Sequence, residues 1–456
     1  MLERLERREI ARRSPRPVGD RPRPDLPTGT DLLPQIKHIV VLMMENHSYD
    51  NYLGTLAGRG EGLPAGDQDL HHLTSTAQIK GNPTQSWHAS HLQYTSGFPA
   101  SIRITEPGAD ATVPMGYWTE EDLPFYHGLA RTFPLADHWF CSCLGPTFPN
   151  RRFLISGTAH GLIDDLPWDL VDYPPGGTIF DALTANGVTW ANYHDVNQGL
   201  VVLRRLLGGR GLTAARRLAQ VGRWLPPVAD AVRGNKSFTA DLYPIGLARA
   251  LRHLRTTRRF FADADAGALP SVSIVDPDFG VYSEENPQDI RYGESFAAEV
   301  INRVMHGPGW RDTLLIWTYD EHGGYYDHVP PPPAVAPDDV PAHNYQLRFP
   351  SWVRALFRRA FADLENLDSG PPDYLSYGFR VPAVIVSPYA RRDYVCSATL
   401  DHTSVLKLIE QKWNLPALTR RDAAAGSPLD ALNLDAPPAF GVPPQLPAPA
   451  LRWGTW

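Results

Sequence analysis

The segment TLLIWTYDEHGGYYDH, residues 313–328, joins a run of apolar residues to a dense group of acidic and histidine side chains. The apolar part, 313–317, predicts a buried strand of an α/β sheet. Asp320 and Glu321 follow at the carboxyl end of that strand, where open α/β sheets bind their ligands. Adjacent carboxylates repel each other, and a bound cation relieves the repulsion. The segment therefore predicts a metal site; a charged surface turn without chemistry is the alternative.

A second apolar run followed by oxygen-bearing side chains lies near the start of the chain. Residues 36–44 (IKHIVVLMM) predict the first core strand, and Glu45 and Asn46 come directly after it. Alone, the pair would usually form a turn. Because carboxylate and amide oxygens suit a hard divalent cation, we expect Glu45 and Asn46 to face the same crevice as Asp320 and Glu321.

A proline-rich turn predicts the position of a nucleophile. In residues 144–151 (LGPTFPNR), one glycine and two prolines hold Thr147 at the start of an apolar helical stretch. A fixed hydroxyl is a suitable nucleophile when a neighbouring metal lowers its pKa. Arg151 could neutralise an anionic oxygen of the substrate. Spacing alone favours a plainer interpretation, a structural turn in which the threonine caps the helix.

Several histidines could serve phosphoryl chemistry. An imidazole near a metal and a hydroxyl can bind phosphoryl oxygens or protonate a leaving group. The candidates are His88, His91, His194, His322 and His328. Any single one is more often structural, but the last two stand inside the predicted metal segment.

Apolar runs alternate with helical patterns along the chain. Further strands are predicted at 188–193, 271–275 and 381–387, and helices at 177–186, 289–306 and 401–413. We interpret Asp401, His402, Thr403 and Ser404 as a helix start whose side chains cap backbone amides, and a position of His402 facing the site is the alternative. The alternation favours an α/β fold with a doubly wound, mostly parallel sheet flanked by helices.

Composition and charge limit the classes of protein to which the chain can belong. The chain has 456 residues, 44 of them proline, and its net charge of -7 argues against a general nucleic-acid binder. Three cysteines are too few for a disulfide framework. The chain holds no apolar stretch long enough to span a membrane, and its arginine-rich start lacks the apolar region of an export signal. We therefore predict a cytoplasmic protein.

The chain divides into three parts. Residues 1–30 predict a disordered tail rich in proline and arginine, 31–435 a catalytic domain, and 436–456 a proline-rich tail on the surface. Within the domain, 201–260 holds 13 Lys and Arg residues against two acidic ones, a charge of +11. Leucines at helical spacing predict a helical insert with a basic outer face. This face could hold an anionic substrate or a lipid surface, and plain solvated surface is an equal alternative.

Five ordered motifs resemble the bacterial phosphoesterase family of phospholipases C and acid phosphatases. They are MMENHSYDNYLG (43–54), GPTFPNR (145–151), TYDEHGGYYDHVPPP (318–332), VPAVIVSPYARR (381–392) and DHTSVLKLIE (401–410). The resemblance implies an alkaline-phosphatase-like core and metal-assisted phosphoryl transfer. It also implies Glu45, Asn46, Asp320 and Glu321 as metal ligands and Thr147 as the nucleophile.

The chain departs from this family at two positions. Many relatives have phosphate-binding histidines where this chain has Gln85 and Asn286, whereas His91 and His194 match family histidines. An amide can donate a hydrogen bond to a phosphoryl oxygen but cannot carry charge or act as a general acid. We expect Gln85 and Asn286 to bind substrate without supplying a proton.

These observations predict a metal-dependent phosphoric ester hydrolase with a threonine nucleophile, a phosphoenzyme intermediate and an unidentified divalent ion. Its substrate would be a phosphorylated small molecule or a phospholipid head group. One alternative is a specialised intracellular biosynthetic enzyme that uses the same metal site on another anionic substrate. Another is a binding protein with a decayed site.

Overall fold

A six-stranded sheet forms the centre of the molecule in the computed structural model, which describes residues 21–78, 83–165, 173–194, 239–243, 250, 252–343 and 373–454. Its strands, numbered along the chain, are β1 (His38–Met44), β4 (Trp190–Tyr193), β5 (Leu254–Arg255), β6 (Val272–Val275), β7 (Thr313–Tyr319) and β8 (Ala383–Val386). They lie in the order β5-β4-β6-β1-β7-β8, and only β8 is antiparallel to its neighbour. Two short strands, β2 (His71–His72) and β3 (Gly116–Tyr117), pair separately.

Helices bury apolar side chains against this sheet. The described helices are α1 (Tyr49–Leu53), α2 (Trp87–Ser96), α3 (Phe98–Thr105), α4 (Pro124–Thr132), α5 (Thr147–Ser156), α6 (Ile179–Ala185), α7 (Thr257–Asp265), α8 (Ile290–His306), α9 (Thr403–Lys412) and α10 (Arg420–Ala424). Short 3-10 turns cover Val113–Met115, Thr239–Asp241, Trp310–Asp312 and Pro428–Ala431. One core joins Ile39 and Leu315 of the sheet with Phe296 of α8 and Ile409 of α9.

The strands β1 and β7 are mostly apolar because they lie in the middle of the sheet. From Ile39 to Met44 every side chain of β1 is fully buried, and all seven residues of β7 are buried. Strands covered on both faces carry continuous apolar runs rather than alternating ones. Their parallel register pairs Met44 with Tyr319, so the residues that follow each strand emerge side by side.

The observed sheet confirms the predicted α/β fold with a mostly parallel sheet flanked by helices. The helical basic insert is not confirmed, since 201–238, 244–249 and 251 lie outside the described residues. In the part of 201–260 that is described, Leu254–Arg255 forms the edge strand β5. The prediction of a helix is wrong at these two residues, because they pair with Asn192 and Tyr193 of β4.

Both ends of the described chain pack against the domain. Within the range predicted to be disordered, the backbone amide of Arg23 donates to Oδ1 of Asn414 (2.8 Å). Near the other end, the amide of Ala450 donates to the buried carboxylate of Glu294 (3.0 Å). The Trp453 ring lies 4.9 Å from that of Tyr282.

In the described part of the chain, no helix is long and apolar enough to cross a membrane. The thiols of Cys141, Cys143 and Cys396 are free and buried. Burial raises the pKa of Cys141 and Cys143, so both stay protonated at neutral pH. This state fits ordinary buried thiols.

We expect Ile316→Ala to test the packing of β7. The side chain is fully buried at the middle of the sheet, so its truncation should lower the free energy of unfolding by about 2–5 kcal/mol. Chemical denaturation measures the change. Val442→Ala is the control because Val442 is 85% exposed, and its cost should stay within about 0.5 kcal/mol. Equal costs in both variants would contradict the assigned position of Ile316.

Candidate active site

Polar residues gather where neighbouring parallel strands end. Glu45 follows β1, Asp276 follows β6, Asp320 follows β7 and His194 follows β4. The amide of Asp320 donates to the carbonyl of Met44 (3.2 Å), which places the ends of β1 and β7 together. The strand register thus brings the predicted metal-binding segments to one edge of the sheet, as carboxyl-end sites of α/β folds require.

The predicted metal ligands are buried together. Glu45, Asp320 and Glu321 are fully buried, and Asn46 is 3% exposed. Burial raises the pKa of Glu321 well above its usual value, and the neighbouring carboxylates of Asp320 and Glu45 raise it further. Asp320 and Glu45 therefore both act electrostatically on Glu321.

The backbone at this edge is unusual in two places. Asn46 has φ 116°, a conformation that L-residues rarely adopt and that is found mostly at functional sites. Gly323 has φ 67°, and a Cβ there would lie 1.9 Å from the carbonyl oxygen of Asn46. The loops after β1 and β7 are therefore in direct backbone contact.

Thr147 faces Asn46 from the first turn of α5. Its buried hydroxyl lies 3.4 Å from Oδ1 of Asn46 and makes no helix-capping hydrogen bond. The side chain of Asn150 holds the preceding turn, since its Nδ2 donates to the carbonyl oxygens of Gly145 (2.8 Å) and Pro146 (3.1 Å). The hydroxyl predicted as the nucleophile is thus fixed beside a predicted ligand, and the plainer interpretation as a threonine cap does not hold.

These residues fit a hard divalent cation. Carboxylate, amide and hydroxyl oxygens form the donor set that such ions prefer. Oε1 of Glu321 is buried and accepts no hydrogen bond from any residue that the structure describes. A buried carboxylate oxygen without a donor is costly unless a cation neutralises it. Glu45, Asn46, Asp320 and Glu321 remain the predicted metal ligands, and Thr147 remains the predicted nucleophile.

Arg151 is engaged inside the protein. Its Nε donates to Oδ2 of Asp320 (2.8 Å), and its Nη1 donates to Oδ1 of Asp276 (2.8 Å). Nη2 donates to the carbonyls of Met43 (3.2 Å) and Met44 (3.1 Å). The predicted contact between Arg151 and a substrate oxygen is not supported, because these bonds occupy the guanidinium. Arg151 instead positions Asp320.

His322 is a neutral, engaged imidazole. The amide nitrogen of Gln93 donates to the carbonyl of Thr84 (2.9 Å), so its oxygen faces His322 and accepts from Nε2 (2.7 Å). The other nitrogen, Nδ1, lies 3.4 Å from Oε2 of Glu321. Burial lowers the pKa of His322 to about 3. This residue therefore carries no spare proton for a leaving group at neutral pH.

His91 borders a cavity of about 180 Å³ next to the nucleophile turn. Its Nδ1 donates to the carbonyl of Trp87 (2.7 Å), which leaves Nε2 as the nitrogen for another group. Burial lowers the pKa of His91, so the ring is mostly neutral near pH 7. The cavity wall also includes Leu144, three residues before Thr147. His91 thus lies beside an open space in the described part of the chain.

The remaining predicted residues lie at the margins of this edge. His194 is buried, with its ring 5.2 Å from that of Phe279. His88 is partly exposed, and burial lowers its pKa. Gln85 is partly buried just before α2. The side chain of Asn286 bonds to the hydroxyl of Tyr325. The roles of these four residues in substrate binding or catalysis stay predictions.

His328 belongs to a separate cluster. Its Nδ1 lies 2.6 Å from Oδ2 of Asp50, and Asp50, Asp327 and His328 offer possible ligand atoms within 4.8 Å of one another. Arg380, however, donates to both Asp327 (2.8 Å) and Asp50 (3.0 Å). An arginine that satisfies both carboxylates argues for an ion-pair network rather than a metal site. The predicted catalytic role of His328 finds no support in these contacts.

Sequence reasoning missed residues that hold the site in place. Asp276 accepts hydrogen bonds from Arg151, Thr239 and Asn192. Its position directly after a predicted strand was a usable signal. The Nε2 of His402 lies 2.6 Å from the carbonyl of Asp320. His402 thus faces the site, which was the alternative in the sequence analysis, and α9 has no side-chain cap.

We expect Gly323→Ala to disturb the site more than the fold. Both Gly323 and Gly58 have positive φ, but a Cβ at Gly58 would meet no atom within 4 Å. The positive φ alone should cost each alanine about 1–2 kcal/mol of stability, and Gly323→Ala should cost more because its Cβ would meet the backbone of Asn46. Only Gly323→Ala should displace Asn46 and lower kcat/KM, by about a hundredfold. Equal kcat/KM for Gly323→Ala and the Gly58→Ala control would refute the close contact.

The pair of His328 and Asp50 should stabilise the protein mainly at low pH. Its hydrogen bond to Asp50 raises the pKa of His328 above the ordinary value, so the folded protein binds the proton more tightly than the unfolded chain. This contribution is complete below about pH 6.5 and disappears as the pH rises through the folded value. His328→Gln should therefore cost more unfolding free energy at pH 5.5 than at pH 9. Chemical denaturation at both pH values measures the unfolding free energy, and His306→Gln, at an exposed histidine, is the control. If His328→Gln costs the same unfolding free energy at both pH values, the pairing is disproved.

Comparison with known proteins places the chain in a family. Residues 36–416 match the model of the Phosphoesterase family. Phospholipase C B of Mycobacterium tuberculosis is 30% identical over 89% of this chain and 79% of its own length. Non-specific phospholipase C6 of Arabidopsis thaliana is 27% identical over 90% of this chain and 75% of its own. The chain therefore belongs to the Phosphoesterase family and is a hydrolase that acts on phosphoric esters.

Proposed function

We propose that this protein cleaves phosphoric esters through Thr147, with a divalent metal ion held by Glu45, Asn46, Asp320 and Glu321. The observation that carries the proposal is the 3.4 Å distance between the Thr147 hydroxyl and the Asn46 amide oxygen. This contact puts a fixed, buried hydroxyl beside the acidic end of the sheet. A metal bound there would lower the pKa of the hydroxyl and neutralise phosphoryl oxygens.

The proposed reaction has two steps, both at the hydroxyl of Thr147. Oγ1 of Thr147 attacks phosphorus as its proton departs, and the ester oxygen leaves with its bonding electrons and takes up a proton. Water next cleaves the phosphothreonine, returning the hydroxyl and releasing the phosphate product. Because Thr147 is the first residue of α5, the positive end of the helix dipole favours the anionic groups that gather there.

Fixed orientation of Thr147 favours nucleophilic attack. The turn before it is held by Asn150, and the amide of Phe148 donates to Oδ1 of Asp165 (2.9 Å). A hydroxyl that needs no reorientation loses little entropy when it reacts. Burial of Thr147 also keeps bulk water away from its hydroxyl until the ester has been bound.

The substrate class follows from the relatives and from the cavity beside His91. The matched relatives are phospholipases C, and we propose a phospholipid or another ester of a phosphorylated alcohol as substrate. In neutral His91 the Nε2 atom can accept a hydrogen bond, because the proton of the ring lies on Nδ1 and is donated to the carbonyl of Trp87. Gln85 and Asn286 would bind phosphoryl oxygens without charge. His91 stays a candidate for proton transfer, since its Nε2 is not engaged by Trp87.

We expect Thr147→Ala to abolish turnover while leaving metal binding largely intact. Loss of the nucleophile should lower kcat more than about a thousandfold. Thr147→Ser, which keeps the hydroxyl, is the control and should retain measurable activity. Turnover would be measured on p-nitrophenyl phosphate, bis-p-nitrophenyl phosphate and p-nitrophenyl phosphorylcholine, with metal content determined by elemental analysis. Full activity in Thr147→Ala, or turnover unaffected by removal of all metal, would refute the mechanism.

A further inference from the structure

Glu284, between β6 and α8, is a buried carboxylate surrounded by tyrosine hydroxyls. Oε1 accepts from Tyr126 (2.6 Å), and Oε2 accepts from Tyr52 (2.9 Å) and from Tyr319. Glu284 and the three tyrosines are fully buried. Burial raises the pKa of Glu284 to about 8, and the three donors act in the opposite direction. A satisfied network of this kind is rigid, since moving one member leaves another without its partner.

The segment that carries Glu284 also contacts the loop after β1. The amide of Glu45 donates to the carbonyl of Ser283 (3.0 Å). The Nε2 of His47 lies 3.0 Å from the carbonyl oxygen of Glu284. The His47 ring stacks on that of Tyr52, with 4.2 Å between centroids. Glu45 and Asn46 are therefore attached to this segment from both sides.

The network reaches the other ligand loop through Tyr319. This tyrosine is the last residue of β7 and directly precedes Asp320. Its hydroxyl bond to Glu284 anchors the end of the strand. The backbone of α8 packs directly against the side chain of Glu284. A Cβ at Gly293 would lie only 2.1 Å from Cγ of Glu284, so no larger residue fits there. The carboxylate is thus confined between the two loops and the helix.

We propose that Glu284 is a positioning residue that fixes the two metal-ligand loops relative to each other. The inference rests on the proposed function in one respect, that Glu45 and Asp320 are metal ligands. Glu284 itself touches neither substrate nor ion. Its partners hold the strand end before Asp320 and the backbone around Glu45, so the ligands are arranged before the ion binds. Partners that orient ligands in this way typically change metal affinity or activity 10- to 100-fold when they are removed.

Two matched variants test this role. Tyr319→Phe and Tyr126→Phe each remove one buried hydroxyl from the same carboxylate, but only Tyr319 adjoins a metal ligand. Hydrogen exchange in metal-free protein should show faster exchange at residues 45–48 and 320–324 in Tyr319→Phe. Titration with Mn²⁺ and Ca²⁺ should show affinity weakened about 10- to 100-fold. Tyr126→Phe should leave hydrogen exchange in both loops, and the metal affinity, close to those of the wild type.

A third variant changes the carboxylate itself. Glu284→Gln should speed hydrogen exchange in both loops.

Equal effects of Tyr319→Phe and Tyr126→Phe, at a similar loss of melting temperature, would overturn the positioning role and leave a purely structural one. So would wild-type exchange in both loops of Glu284→Gln. If the wild-type protein binds neither ion and cleaves no ester, the proposed function is wrong. The exchange comparison does not depend on activity, and it still decides whether Glu284 fixes the loops.

Discussion

The parallel pairing of β1 with β7 is the constraint on which the site depends. Met44 faces Tyr319 in register, so Glu45 and Asp320 leave the sheet next to each other. A slip of one residue would turn every side chain of the strand to the opposite face. Because both strands are buried on both faces, apolar packing sets this register. The position of the acidic side chains is therefore determined by residues that have no part in the chemistry.

Two buried arginines balance the negative charge that this register brings together. Arg151 pairs with Asp276 and Asp320, and Arg380 pairs with Asp50 and Asp327. Removing one partner of a buried pair usually costs about 3–5 kcal/mol, because a charge remains in a low-dielectric environment. Oε1 of Glu321 accepts no hydrogen bond from the described residues, so a bound cation is the natural counter-charge for this carboxylate.

The sequence indicates the strands and the strand-end ligands well, because a long apolar run that ends in carboxylates is typical of a buried strand leading into a binding site. Thr147 was also predictable, since a glycine and two prolines restrict its turn. The role of Arg151 could not be inferred in the same way. Its partner Asp276 follows another strand, far away in sequence, so the chain order does not reveal that the guanidinium is occupied. The contact of His328 with Asp50 could not be inferred for the same reason, since the two residues lie far apart in sequence.

The contact between Trp453 and Tyr282 joins the end of the described chain to the segment that contacts Glu45, so this packing depends on the order in which the chain is synthesised. Tyr282 precedes Ser283, whose carbonyl accepts the hydrogen bond from Glu45. The three segments come from the beginning, the middle and the far end of the described chain. A ribosome releases Glu45 and Tyr282 long before Trp453, and such distant contacts form late. The packing around Tyr282, next to the segment that contacts Glu45, is therefore complete only once Trp453 has been synthesised.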